Sequence, residues 1–457
     1  MNHLPRRGDD VQSMLRTVGV ECVDELFTDI PEDVRLDREL DLPPALSELD
    51  LVAHLKDLAS RTDAHVVSFV GAGCSEHFIP AAVDALASRG EFTTSYTPYQ
   101  PEASQGNLQA FFEYQTLIAR LTGCEVSNAS MYDGASATAE AALMARGITA
   151  RETLAVDAGL HGEYRATLDT YLRHVGPETR TVEHAGGRVD PASLERALAG
   201  EPAALIVQSP DFFGVVHDWA ALAKAAHAAG ALLVAVVDPV SLGLLKSPGA
   251  LGADIVVGEG QPLGIPRSFG GPGFGFFATR MEFVRHMPGR LVGEATDRRG
   301  RKGYVLTLQA REQHIRRERA TSNICSNQAL MALRAAIHLS LLGPRGLRRV
   351  AELCLAKAHY AAERLAQIPG VGLRFGDAPF FNEFALDVPI PASELRRRAI
   401  ALGVDPGLDL GRIDPALDRT LLVAVTECRT KAEIDRLADV VRRACHGDAL
   451  ASREVHA

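Results

Sequence analysis

Past residue 150 the chain alternates short apolar runs with stretches of helical period. Residues 154–156, 204–207, 232–237 and 255–257 are built from Leu, Ile, Val and Ala and are closed by Asp157, Ser209-Pro210, Asp238-Pro239 and Gly258. Apolar runs of that length without polar alternation mark strands covered on both faces. Residues 218–229 repeat their apolar positions at helical spacing between two of them, so the pattern predicts repeated βα units. The expected fold is α/β, a mainly parallel, twisted sheet with helices on both sides. From about residue 330 the pattern changes. Helical spacing at 328–342 and 347–367 precedes a strand near 384–388, a helix near 392–402, a strand at 420–425 and a last helix to 444, which predicts a compact α+β body.

The pattern also divides the chain. Residues 1–60 read as an N-terminal arm, with helical spacing over 11–27, prolines at 31, 43 and 44, and a second helix over 47–58 opened by Ser47 as N-cap. Residues 61–330 form a large α/β domain, 331–450 a small α+β domain and 451–457 a frayed tail. A helix starting near Ser104 places Leu108, Phe111, Phe112, Ile118 and Leu121 on one face and stops at Gly123. Ahead of it, SYTPYQPEASQGNLQ holds Tyr96 and Tyr99 on a path fixed by Pro98 and Pro101. Such a loop either grips a small polar ligand or packs as a surface turn with satisfied hydroxyls. Gly71 and Gly73 follow a strand-like run, but the third glycine of a dinucleotide fingerprint would fall at Glu76, so they serve a tight turn. At 269–278, FGGPGFGFFA allows close approach of backbone or ligand, or simply makes a tight hairpin. Residues 298–319 form a basic island in which Glu312 and Arg316 stand four apart, as a pair along a helix would, and Thr321 to Asn323 reads as a helix start.

Composition narrows the partners. A net charge of -10 and a pI near 5.9 argue against nucleic-acid binding and against an anionic membrane surface. No run of 18 apolar residues exists and the opening MNHLPRRGDD lacks the apolar core of a signal peptide, so a cytoplasmic location is expected. Seven scattered cysteines without a CxxC pair indicate neither a disulfide framework nor a metal centre.

The candidate chemistry collects at strand ends. Ligands on parallel α/β sheets bind beyond the carboxyl ends of the strands, where Asp157, His161, Ser209, Asp211 and Asp238 fall. In enzymes that hold pyridoxal phosphate on such a sheet, one strand-end acid protonates the ring nitrogen and a lysine after the next strand forms the Schiff base. Asp238 suits the first role, but Gln261 occupies the second position, and an amide cannot form an imine. The Asp133-Gly134 turn opens an alanine-rich helix whose N–H groups suit a phosphate, though Ser136 is equally explained as a capping residue. His161 either stacks on a cofactor ring or acts as a base, or else it is a neutral histidine bonded to backbone. The chain has six lysines, at 56, 224, 246, 302, 357 and 431, and none stands in the expected turn. No GxSxG elbow, Walker loop or HExxH motif offers another chemistry.

The strings SYTPYQPEASQGNLQ, NASMYDGAS, GGPGFGFFA and TLQAREQHIRRERATSNICSNQAL resemble subunit 1, the alpha chain, of two-chain glycine dehydrogenase (decarboxylating), the P-protein of the glycine cleavage system. The likeness runs from about residue 10 to 445. It implies a large domain like that of aspartate aminotransferase (fold type I of the pyridoxal phosphate enzymes) and a small C-terminal α+β domain. It also implies decarboxylation of glycine, with the aminomethyl group passed to the lipoyl group of H-protein. Pyridoxal phosphate and its lysine are then expected on a homologous beta chain, in an alpha2beta2 assembly, with nothing held covalently here. The resemblance implies no catalytic residue in this chain alone and no metal. It carries Tyr96, Tyr99, Gln100 and Glu102 to the opening of an active site shared with the beta chain, and leaves Ser136, His161, Asp238 and Gln261 as a degenerate cofactor pocket. The alternatives are a stand-alone pyridoxal phosphate enzyme of desulfurase or aminotransferase type using a lysine such as Lys246, and a catalytically dead scaffold.

Overall fold

The computed structural model describes residues 8–36, 38–62, 65–176 and 178–446, so the reading of 451–457 lies outside the described residues. Packing divides the chain into residues 1–64 and 65–457. In the first unit, helices span Gly8–Val18 and Glu48–Ser60, and Ser47 caps the second by accepting the Asp50 N–H at 3.2 Å.

The second unit is organised by a seven-stranded sheet. Its order is Val126–Ser127, Gly275–Thr279, Ile255–Glu259, Leu232–Val236, Ala204–Gln208, Thr153–Asp157 and Glu178–Val182. Pairings from Ile255–Glu259 outward to Glu178–Val182 are parallel, while both neighbours of Gly275–Thr279 run antiparallel to it. The central strands are apolar because both faces are covered. One layer packs Leu205, Val207, Leu233, Ala235 and Phe276 against the helices Gln105–Thr122 and Trp219–Ala228 and the start of a long C-terminal helix. The opposite face packs Leu154, Ile206, Val234, Val257 and Phe277 against Gly134–Thr149.

A second core lies under an antiparallel sheet of Gly372–Leu373, Glu383–Asp387, Thr420–Ala424 and Leu408–Asp409. Ala392–Ala401 and Lys431–His446 cover it. Val67–Ser68 pairs in parallel with Val404–Asp405, and Phe69 enters this same core. The two cores share the helix Ala329–Ala366, which kinks where Gly343 takes φ +59° ahead of Pro344, a residue with no N–H to continue the ladder. Among the described residues, no helix is long and apolar enough to cross a membrane.

Two local expectations differ from the structure. The basic island is mostly a hairpin, Leu291–Thr296 with Lys302–Thr307, whose charges pair across or within the turn: Lys302 with Glu294 at 2.5 Å and Arg301 with Asp297 at 2.8 Å. Its helix is a single turn, Gln313–Arg316, in which the Arg316 side chain donates to the Ala310 carbonyl rather than to the Glu312 carboxylate. The long helix starts at Ala329, not at Thr321. Residues 325–328 stay extended because their groups are taken by distant partners: the Cys325 N–H by the Tyr132 hydroxyl, Asn327 Nδ2 by the Ala129 carbonyl and the Gln328 N–H by Ser130 Oγ.

Candidate functional site

The carboxyl ends of the parallel strands line a partly open cavity of about 70 Å³, bordered among others by His77, His161, Asp238, Glu259 and Glu383, and clefts of about 440 and 590 Å³ adjoin it at His161 and at His77. Asp238 follows Leu232–Val236, and Glu259 is the last residue of Ile255–Glu259. Glu383 opens the neighbouring sheet's strand and reaches back to accept the Ala72 N–H at 2.6 Å. Three carboxyls thus face one small space, and burial pushes all three pKa values up, those of Glu259 and Glu383 to about 7. The nearby basic group is His77. Burial opposes its charge, but the Glu427 carboxylate at 2.8 Å outweighs burial and raises its pKa.

Glu259 settles what the alanine-rich helix does. Its Oε2 accepts the Gly134 N–H at 2.9 Å, and its Oε1 accepts the Gln261 N–H at 3.0 Å and the Phe274 N–H at 3.2 Å. A helix N-terminus that could bind an outside anion is therefore occupied by an internal one. The approach is close: a Cβ on Gly134 would sit 2.1 Å from the Tyr164 hydroxyl. Ser136 is engaged in a capping box, its N–H donating to Asp133 Oδ1 at 2.7 Å while its Oγ accepts the Asp133 N–H at 3.2 Å.

The other pocket residues are similarly committed. His161 Nδ1 accepts the Glu163 N–H at 3.1 Å, so Nε2 carries the proton and donates to the Ala72 carbonyl at 3.0 Å. Burial lowers its pKa, which keeps the ring neutral. Its ring meets Phe212 edge-on at 4.9 Å. Asp238 Oδ1 accepts the Val240 N–H at 2.8 Å. Gln261 is buried and turns Nε2 to the Ile265 carbonyl at 2.7 Å, leaving Oε1 without a partner. Lys246 is exposed and does not line the cavity.

Pyridoxal phosphate does not fit these residues. The Glu259 carboxyl takes the first N–H of the helix, that of Gly134, where a phosphate would sit, and Asp238 and Glu383 add acidic groups to the same space. Gln261, which borders the adjoining clefts of about 440 and 590 Å³, offers no amine, so the misfit is one of chemistry rather than of space.

The tyrosine loop lies apart from this cavity. Tyr96 is 80% exposed and Tyr99 61%, and Gln100 and Glu102 are exposed in the turn that follows. Under the loop, Arg290 is buried and donates to Thr97 Oγ1 at 3.0 Å, to the Tyr99 hydroxyl at 3.3 Å and to the Cys325 carbonyl at 2.9 Å. Its guanidinium also lies 5.4 Å from the centre of the Tyr99 ring. Glu259, Glu383 and Arg290 were not singled out from sequence. For Glu259 a signal exists, an acid ending an all-apolar strand two residues before Gln261, whereas the other two are brought in from 120 or more residues away.

A family profile described as the glycine cleavage system P-protein matches residues 1–441. The chain is 53% identical over 439 residues to the probable glycine dehydrogenase (decarboxylating) subunit 1 of Desulfitobacterium hafniense, covering 96% of this chain and 98% of that one. It is 50% identical over 442 residues to the protein of the same name from Moorella thermoacetica, covering 97% and 99%. Among solved structures, a glycine decarboxylase (P-protein) of the glycine cleavage system in inhibitor-bound form superposes with a TM-score of 0.88 at 46% identity, over 97% of this chain and 100% of that one. Glutamate decarboxylase of Lactobacillus brevis, 13% identical with a TM-score of 0.67 over 91% of this chain and 96% of that one, shares the fold alone.

Proposed function

Because the chain belongs to the glycine cleavage system P-protein family, we propose that it works as the alpha chain of a two-chain glycine dehydrogenase (decarboxylating), an oxidoreductase subunit completed by a homologous beta chain. Its fold is that of the type I pyridoxal phosphate enzymes. In this reading the beta chain carries the cofactor and its lysine, and the assembly, an alpha2beta2 tetramer in the cytoplasm, passes the aminomethyl group of glycine to lipoylated H-protein.

The observation that carries the division of labour is the strand-end site, in which the Glu259 carboxyl holds the Gly134, Gln261 and Phe274 N–H groups and an amide, Gln261, stands where an amine is needed. Such a chain contributes by binding and orienting rather than by covalent chemistry. Tyr96 and Tyr99, presented outward on a loop fixed from beneath by Arg290, are placed to border an opening completed by another chain and to exclude water from it. Gln100 and Glu102 stand beside them with free surface.

Co-expression with a lysine-bearing homologue tests this, read by exchange of labelled bicarbonate into the carboxyl group of glycine. Exchange is expected from the pair and from neither chain alone. A phosphopyridoxyl group fixed on Lys246 of the isolated chain after borohydride reduction would overturn the reading.

A further inference from the structure

Beyond the glycine-cleavage role, the geometry points to a divalent metal site of the two-histidine, one-carboxylate class at Asp157, His184 and His217, with Asp211 as the outer carboxylate. Three separate elements supply these groups. Asp157 ends the strand Thr153–Asp157, His184 sits on the two-residue strand His184–Ala185 after the sheet's edge strand, and His217 immediately precedes the helix Trp219–Ala228, capped by Asp218. One ligand atom from each lies within 4.8 Å of the other two. All are enclosed, with the side chain of Asp157 0% exposed, that of His217 5% and that of His184 11%.

The internal hydrogen bonds leave an unmet demand that an ion would fill. Asp157 Oδ1 faces His184 Nε2 at 2.5 Å, but Asp157 Oδ2 is buried with no partner. A fully buried carboxylate oxygen left unpaired is costly, and a cation bridging it to two imidazoles removes that cost. Asp211 stands behind both rings, its Oδ2 3.1 Å from His217 Nε2 and 3.7 Å from His184 Nδ1. Its Oδ1 is itself fixed by the Phe213 and Val215 N–H groups, each at 2.9 Å. A carboxylate that orients metal-binding imidazoles through their other nitrogens is the usual outer arrangement of such sites.

Nitrogen and oxygen ligands from enclosed histidines and an aspartate suit zinc, or cobalt as its substitute, rather than calcium or magnesium. Bonds of roughly 2.0–2.2 Å place neighbouring ligand atoms about 3.3–3.6 Å apart in a tetrahedron, so loading widens the Asp157–His184 contact by about 1 Å. It joins the carboxyl ends of the last two parallel strands, Thr153–Asp157 and Glu178–Val182, to the loop that carries Asp211 into the cavity described above.

The full chain, stripped with a chelator and then offered zinc alone, is expected to retain about one equivalent after desalting. X-ray absorption at the zinc edge should show nitrogen and oxygen scatterers only. His184→Gln and His217→Gln should abolish retention, and Asp211→Asn should weaken affinity roughly 10–100-fold. His77, Cys354 and Glu427 form a second cluster with suitable atoms, so Cys354→Ser is the control and should bind as the parent does. Absence of stoichiometric retention by the unaltered chain overturns the proposal. So does a sulfur scatterer at about 2.3 Å, which would move the ion to Cys354. The absorption measurement needs no variant, so a substitution that fails to fold does not remove the test.

Discussion

The N–H of Gly134 points at Glu259 Oε2 from 2.9 Å, joining the first residue of the alanine-rich helix to the last residue of a central strand. The positive end of that helix is thus answered within the chain. Glu259→Ala leaves three enclosed N–H groups, those of Gly134, Gln261 and Phe274, without an acceptor. Each costs about 1–3 kcal/mol when unpaired, partly offset by relief from burying a carboxyl, so a net loss of about 2 kcal/mol is expected. Urea unfolding measures the loss, and faster amide exchange at Gly134 and Gln261 localises it. Unchanged stability together with unchanged exchange would show that the carboxylate is not what holds this corner.

Restoring a lysine does not restore a cofactor site. In Gln261→Lys the new amine takes the place of an amide that donates to the Ile265 carbonyl, inside a structure that still holds Glu259 on the helix N-terminus, where the cofactor's phosphate would have to sit. Incubation with pyridoxal phosphate is expected to give no Schiff-base absorbance in this variant. Stoichiometric absorbance would mean that the pocket opens far more readily than its hydrogen bonds suggest.

How much of this was legible beforehand follows from the range over which each feature is determined. Apolar runs and helical spacing are local, so the sheet strands, the Ser104 start, the Gly123 stop and the C-terminal elements all fall close to where the pattern placed them. The kink at Gly343-Pro344 was equally readable, as the gap between two helical patterns. The Thr321 start failed for the opposite reason. Thr321 to Asn323 reads as a helix start, but the Tyr132 hydroxyl and Ser130 Oγ, nearly 200 residues earlier, take the N–H groups of Cys325 and Gln328 and hold the chain out of a helix. Within the pocket, Asp238, His161 and Gln261 could be named because strand ends gather ligand-facing residues. Which nitrogen of His161 carries the proton, or which acid meets the helix, depends on Ala72 and Gly134, which no spacing rule connects to them.

Arg290 is 4% exposed, and among the described residues no carboxylate lies within ion-pair distance of it. Neutral acceptors carry the whole load: Thr97 Oγ1, the Tyr99 hydroxyl and the Cys325 carbonyl. Lysine is a single point donor and cannot reach all three, so Arg290→Lys should release the tyrosine loop. A loss of about 2 kcal/mol is expected, with new protease cleavage between residues 95 and 104 and, in the assembled enzyme, a larger fall in bicarbonate exchange than the stability loss explains. Cleavage and exchange both equal to those of the parent would remove Arg290 from the support of the loop.

Glu383 gives the stability a definite pH slope. Burial is the main cause that pushes its pKa up to about 7, and nearby Asp238 and Asp211 push the same way, while the Ala72 N–H opposes them. An unfolded glutamate titrates near about 4.3, so between these values the folded chain holds a proton that the unfolded chain has lost. Stability from this group is therefore complete below about pH 4 and is lost progressively as the pH rises to about 7, with no further change above. Glu259 and Glu140, both also pushed up to about 7 by burial, slope in the same direction. The shift of Glu383 alone corresponds to roughly 4 kcal/mol at most. Glu383→Gln keeps an acceptor for the Ala72 N–H but cannot ionise, so its unfolding free energy should fall less steeply between about pH 4 and about pH 7 than that of the parent, and the two should differ most at the alkaline end of that window. Parallel curves for variant and parent would mean that Glu383 titrates as an ordinary glutamate, and the acidic crowding around Asp238 would then have to be relieved by water reaching the cavity.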